Sequence, residues 1–225
     1  SKMEIMAYCK VQSEKISVAY EGKEHIGRVE ASKEFLAAQN LNDVQYLLAV
    51  SSMNPNKNFS GIVKALRLLR HKKYTVVIAG GTNPRVFGKG IDLPANIKHV
   101  GYVSDSELKA LYESACGFIY PSFYEGFGLP PIEAMGVGCP VIVSDIEVLR
   151  EVCGDAVLYC DPASPQSIAN TIDELMTNEN LRSELSTSGL KRVERYSWES
   201  CARSLVSRIK EMNGKSLYAT APKTS

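Results

Sequence analysis

An open, mostly parallel α/β sheet of about six strands with helices on both faces is the fold this sequence predicts. Three observations carry it. Short, continuously apolar runs such as Tyr46–Ser52 and Tyr74–Gly80 have the composition of parallel strands covered on both faces. Between such runs lie stretches whose apolar residues recur at helical spacing, so strand and helix alternate as in successive β-α-β units. The strands run into glycine-, proline- and asparagine-rich loops, and in an open parallel sheet ligands bind beyond the carboxyl ends of the strands.

Taken in order, the opening S-K-M-E-I-M-A-Y-C-K is helical in pattern and reads as a piece cut from a longer chain. Lys15–Gly22 alternates like a short strand that ends at glycine. Glu21–Leu41 is polar with a helical patch at Ala31–Gln39. Tyr46–Ser52 is the first strand of the main domain, followed by M-N-P-N-K-N-F and a helix that starts at Ser60 as N-cap, with Ile62, Val63, Leu66 and Leu69 on one face. Lys57 lies in the loop at this first strand end. Tyr74–Gly80 is the second strand, and the loop G-T-N-P-R-V-F-G-K-G after it contains Arg85. Gly80 and Gly81 either let backbone approach a ligand or only end the strand. The third strand, Ile97–Tyr102, stops at a capping box of Ser104 and Glu107, with Leu108, Leu111, Tyr112 and Ala115 along the next helical face. Cys116–Tyr120, Cys139–Ser144 and Ala156–Cys160 complete the strands. Ser164 with Pro165 opens a helix that carries Ile168, Ile172, Leu175 and Met176 inward. Helices at Asn180–Tyr196 and Ser197–Met212 follow, the last with Trp198, Ala202, Leu205 and Ile209 on one face. The polar stretch 213–225 reads as a flexible tail.

Composition narrows the function classes. The 225 residues, 44% hydrophobic and 23% charged, suffice for one substantial core. A formal net charge of +1 leaves no broad electrostatic footprint for nucleic acid or for an anionic membrane. No run approaches the roughly 20 apolar residues that span a bilayer, and no leader of charged then apolar residues opens the chain. Six cysteines are scattered without a C-x-x-C pair, mostly in apolar contexts, which reads as reduced thiols in a cytoplasmic protein. His25, His71 and His99 share no metal-site spacing.

The most informative stretch is Ser122–Pro140, S-F-Y-E-G-F-G-L-P-P-I-E-A-M-G-V-G-C-P, between two strands. Gly126 and Gly128 let the backbone turn and approach a ligand closely. Pro130 and Pro131 suit the first positions of a helix, which leaves the amides of Phe127, Gly128 and Leu129 free. Together with the positive end of the helix dipole they favour an anion. Glu125 and Glu133 flank this point with seven residues between them.

The run E-G-F-G-L-P-x-x-E-A-M-x-x-G-x-P-V resembles the donor-site signature of family 4 retaining glycosyltransferases, enzymes of GT-B fold in which two Rossmann-like domains face across a cleft. The match extends from about Val50 to Ile209. By this resemblance the chain is one half of such an enzyme: residues 1–42 are the end of a missing N-terminal domain and the linker, 43–212 the Rossmann-like donor-binding domain. Glu125 contacts the sugar hydroxyls and Glu133 holds the ribose hydroxyls. Both roles suit carboxylates, which accept hydrogen bonds from vicinal hydroxyls. Lys57 becomes a ligand of the donor diphosphate, and an ammonium there stabilises charge as the leaving group departs. Many members carry an arginine five residues before this lysine, where this chain has Ser52; Arg85 is the candidate substitute. Tyr102 and Val103 are candidates for backbone contacts to the base, with Tyr102 as core filler the alternative.

The activity implied is transfer of a sugar from a nucleoside diphosphate sugar to an acceptor hydroxyl with retention, in polysaccharide or lipopolysaccharide synthesis in the cytoplasm, at the inner face of the membrane. The donor base is unassigned. The acceptor, a sugar or a lipid-linked sugar, belongs to the missing domain, so the isolated chain is expected to bind nucleotide weakly and to transfer nothing. No Asp-x-Asp motif is present, which predicts metal independence, and no cofactor is expected. The other readings are a sugar-nucleotide epimerase of the same build, which lacks this signature, and a non-catalytic nucleotide-binding module. A dehydrogenase would need G-x-G-x-x-G after the first strand.

Overall fold

The structure, a computed structural model, describes residues 2–50, 54–72, 74–81 and 95–216, with side chains to 212. Ser52 and Arg85 lie outside the described residues, as does the tail beyond Ser216. Six strands, β1 (Tyr46–Val50), β2 (Thr75–Ala79), β3 (Ile97–Gly101), β4 (Gly117–Tyr120), β5 (Val141–Ser144) and β6 (Leu158–Cys160), form one sheet in the order β3-β2-β1-β4-β5-β6. Every pairing is parallel. The open parallel sheet expected from the apolar runs is therefore present. β4 and β5 are buried throughout and β1 and β2 nearly so, whereas β3 at one edge has no fully buried residue. That gradient is what a parallel sheet covered on both faces produces.

The order reverses between β1 and β4. Chain from β1 winds toward β3, and chain from β4 winds toward β6, so the loops after β1 and β4 part in opposite directions and leave a crevice at their carboxyl ends. Helix α4 (Phe59–Leu68) follows β1, α5 (Asp105–Ser114) follows β3, α6 (Leu129–Gly136) follows β4, and α7 (Glu147–Cys153) follows β5. Helices α8 (Pro165–Thr177) and α9 (Glu179–Val193) come after β6. On one face Leu47, Ala49, Val76 and Ile78 pack with Ile62 and Leu66 of α4 and Ile168 and Ile172 of α8 in a single buried cluster. Alternate strand residues such as Leu48, Val77 and Phe118, equally buried, point to the other face.

The chain divides into two compact units. One is Lys23–Arg195, which holds the sheet; the other joins the segments up to Gly22 and from Tyr196 onward. Stretch 23–42, expected as part of a linker, thus lies in the sheet unit, where it forms the short helices α2 (Glu24–Arg28) and α3 (Lys33–Ala38). The second unit contains α1 (Lys2–Cys9), which buries no residue, and α10 (Trp198–Ser216), on which Leu205, Val206, Ile209 and Met212 stand half or more exposed. No described helix is long and apolar enough to cross a membrane.

Two local expectations need correction. Lys15–Gly22 is not a strand: Ser13–Lys15 makes a single 3-10 turn, and no ladder partner for the following residues is found among the described residues. Alternation alone cannot hold a strand without a neighbouring strand to pair with. Helix α4 is capped by Asn58, not by Ser60. Asn58 adopts a left-handed conformation at φ 52° and accepts the Gly61 amide on its side chain, so the helix starts earlier than a scan for serine suggests.

Candidate functional site

The crevice between β1 and β4 is lined by two loops that are tied together. Residues Pro55–Lys57 make a 3-10 turn after β1, and their Asn56 carbonyl accepts the Phe123 amide from the loop after β4 at 2.8 Å. Asn58, 3% exposed, braces the same region: its side-chain amide donates to the carbonyls of Pro121 at 3.0 Å and Pro162 at 2.7 Å, beyond the ends of β4 and β6. Loops from three strands are thereby fixed around one side chain.

This brace delivers Lys57 to Glu125. The Lys57 ammonium donates to Glu125 Oε1 at 2.8 Å, with the two side chains 22% and 9% exposed, and also to the Tyr120 hydroxyl at the end of β4. Burial, followed by the nearby Glu125 charge, holds the Tyr120 phenol far above its ordinary pKa, so it stays neutral. An ammonium has three N–H donors, and two are used among the described residues. One remains for a ligand.

Next to this pair is the start of α6. Gly128 is its N-cap, with φ 97° and no side-chain cap, and a Cβ built there would meet Leu149 Cδ2 at 2.7 Å. Only glycine fits. A Cβ on Gly126 would meet nothing within 4 Å, so the space beside it is open. Among the described residues the amides of Gly126, Gly128 and Leu129 have no internal acceptor, whereas Phe127 makes an interaction of its own and is not counted with them. Unsatisfied amides and the helix dipole make this an anion-favouring point.

Glu133, one turn inside α6, is buried and reaches a different set of partners. His25 Nε2 on α2 lies 2.7 Å from its Oε1, and the Tyr112 hydroxyl on α5 donates to its Oε2 at 3.3 Å. Burial raises its pKa, and the bonds from His25 and Tyr112 oppose that rise. The two carboxylates, with seven residues between them, are thus held separately, Glu125 against the loop after β1 and Glu133 against α5 and α2.

Of the other candidates, Tyr102 and Val103 follow β3. Tyr102 is 77% exposed, which removes it from the core. Gly80 and Gly81 both have positive φ at the end of β2, where a turn requires glycine. The Gly80 amide donates to Gly101 O at 2.7 Å and its carbonyl meets His99 Nε2, so that backbone is taken up inside the fold. Tyr120, Tyr112, Asn58 and His25 were not among the sequence candidates. Asn58 stood next to Lys57, and Tyr112 had been read as part of an apolar helix face; His25 carries no local signal, since its partner is 108 residues away. Chemically the assembled site offers donors for an anion and a carboxylate for hydroxyls.

Comparison with known proteins points the same way. Residues 32–192 match the family model described as glycosyl transferases group 1. The chain is 35% identical over 173 residues to the O-antigen chain mannosyltransferase B of Escherichia coli, covering 73% of this chain and 45% of that protein. It is 34% identical over 169 residues to the O-antigen chain mannosyltransferase RfbU of Salmonella typhimurium, with the same 73% and 45% coverage. The chain therefore spans a little under half the length of these curated relatives. Among solved structures, a glycosyltransferase from Rickettsia africae superposes with a TM-score of 0.81 at 19% identity, over 97% of this chain and 62% of that one. Anabaena HepE in complex with UDP and glucose superposes with a TM-score of 0.78 at 17% identity, over 93% of this chain and 60% of that one. Likeness at this level of identity speaks to the fold alone.

Proposed function

The chain belongs to the group 1 glycosyl transferases, and we propose that it is the donor-binding half of a family 4 retaining enzyme of GT-B build, taking a nucleoside diphosphate sugar. The observation that carries this reading is the Lys57–Glu125 pair held in the crevice where the strand order reverses, beside a helix start with unused amides. The diphosphate accepts hydrogen bonds from the third Lys57 N–H and from the amides of Gly126, Gly128 and Leu129. Glu125 accepts from sugar hydroxyls, Glu133 from the ribose diol, and the base lies near Tyr102 and Val103.

Transfer requires the bond from the anomeric carbon to the diphosphate to break, and charge grows on the leaving oxygen as it does. Lys57 and the amides are already oriented toward that charge, and losing one such preorganised donor costs about 3 kcal/mol, on the order of a hundredfold in rate. Glu125 acts by holding the sugar and does not attack it; the acceptor hydroxyl arrives on the face the diphosphate leaves. That acceptor, a sugar or a lipid-linked sugar of a surface polysaccharide, is bound by a domain outside these 225 residues, on the cytoplasmic side of the membrane. The mannosyltransferase relatives suggest a hexose donor.

The test is calorimetric titration of the chain with nucleoside diphosphates, nucleotide sugars and nicotinamide dinucleotide. Saturable binding of a nucleoside diphosphate that persists in a chelator is expected. Binding of the nicotinamide cofactor instead, or of no nucleotide, overturns the reading, and appreciable sugar transfer by the chain alone refutes the assignment of the acceptor to another domain.

A further inference from the structure

His25 is carried by a segment fixed to both helices that border the nucleotide site. Lys109 of α5 donates to Val29 O at 2.8 Å, Ser106 of α5 donates to Glu30 O at 2.5 Å, and the Ser32 amide donates to Ser106 O at 3.1 Å. Ile26 is 1% exposed, and the Lys23 stem fills the space that a side chain on Gly136 of α6 would occupy. A histidine 32% exposed on its side chain is thus brought to a carboxylate 8% exposed.

An ionised carboxylate has about four acceptor positions, two on each oxygen. His25 takes one on Oε1 and Tyr112 takes one on Oε2. Among the described residues one position per oxygen is left, and a vicinal diol presents two donors side by side. Against an ionised partner that only accepts, Nε2 must carry the proton.

We propose that His25 is a positioning residue for nucleotide recognition: with Tyr112 it fixes the Glu133 carboxylate so that one acceptor position on each oxygen faces the two hydroxyls of a ribose. The proposal rests on the donor-site reading above. It assigns to α2, far from the signature in sequence, the discrimination of ribose from deoxyribose.

The test uses the whole chain and titrates each common nucleoside diphosphate and its 2′-deoxy counterpart by calorimetry. The wild type is expected to favour the ribo form by roughly tenfold or more, the usual effect of one hydrogen bond to a charged group. His25→Ala should abolish most of that preference while changing the 2′-deoxy affinity little. His25→Gln, whose amide nitrogen takes the place of Nε2, should restore it. Tyr112→Phe keeps the ring in the core, removes the bond to the other oxygen, and should lower the preference in the same way, which keeps the test decisive if His25→Ala does not fold. Equal losses for ribo and deoxy ligands would reduce His25 to a structural role and overturn the proposal. A wild type that binds both forms alike overturns it while leaving the donor site standing, and a wild type that binds no nucleoside diphosphate removes the donor site and the proposal together.

Discussion

Replacing Asn58 with alanine is expected to loosen the whole candidate site, and the size of the effect follows from its contacts. The capping bond to the Gly61 amide is worth about 1 kcal/mol. The bond to Pro121 O is buried, and leaving that carbonyl unpaired costs about 1–3 kcal/mol; the bond to Pro162 O is partly buried, so water recovers some of its loss and about 1 kcal/mol remains. Holding alanine at φ 52° adds about 1 kcal/mol that asparagine largely avoids. Together these give about 4–6 kcal/mol, a large share of the roughly 5–15 kcal/mol that stabilises a typical domain. Urea unfolding followed by circular dichroism would read it as a lower midpoint at unchanged slope. Asn58→Gly removes the same bonds without the left-handed penalty and should be milder than Asn58→Ala by roughly 1 kcal/mol. A loss below about 1 kcal/mol for Asn58→Ala, or alanine better tolerated than glycine, would refute the claim that this side chain braces three strand-end loops.

Further expectations concern the site itself. Glu133→Gln should weaken nucleoside diphosphate binding roughly tenfold yet leave stability at pH 7 unchanged or higher. The sign follows from the raised pKa of Glu133 in the fold: its contribution is full below the ordinary carboxylate pKa and is lost as pH rises through the raised value, so at neutral pH the ionised group costs stability that glutamine spares; thermal melts from pH 4 to 8 check it. Gly126→Ala should fold with a stability change within about 0.5 kcal/mol but bind nucleotide less well, because its Cβ enters open space on the ligand side, whereas Gly128→Ala should lower the melting temperature by several degrees through φ 97° and the clash with Leu149. Glu125→Gln should cancel any advantage of the nucleotide sugar over the bare diphosphate, a comparison made by paired titrations.

The sheet was legible because burial on both faces writes itself into sequence as short unbroken apolar runs, and each of the six expected runs contains a strand. Where the reading failed, tertiary partners decided. Residues 15–22 alternate like a strand yet pair with no strand among the described residues, and Asn58 displaced Ser60 as cap because its amide also satisfies two carbonyls more than 60 residues away. The glycine loop, Glu125 and Glu133 stood out because the chemistry of an anion site is concentrated within one loop and one helix start, whereas Lys57, in the loop after β1, stood out through the resemblance to the donor-site family. Tyr120 and Tyr112 did not, since a tyrosine in an apolar run or on an apolar helix face looks like core until its hydroxyl is seen against Lys57 or Glu133.

In the proposed reading, the two glutamates do different work because their charges are compensated differently. Glu125 already holds the cation that a diphosphate needs. Were the ligand to draw Lys57 fully away, a carboxylate only 9% exposed would be left without its counter-ion, a loss of several kcal/mol. The favourable course is for the diphosphate to accept a hydrogen bond from the third ammonium N–H and for the pair to stay intact, so that Lys57 is kept in place both before the donor arrives and after the sugar has left. Glu133 has no lysine or arginine against it among the described residues: a phenol and an imidazole stabilise it, and its burial works the other way. Such a group gains from every donor it is offered, and a ribose diol offers two. One short stretch thus yields one carboxylate that orients a cation beside the sugar and another that waits for the ribose diol, and the difference comes from the loop after β1 and from α2.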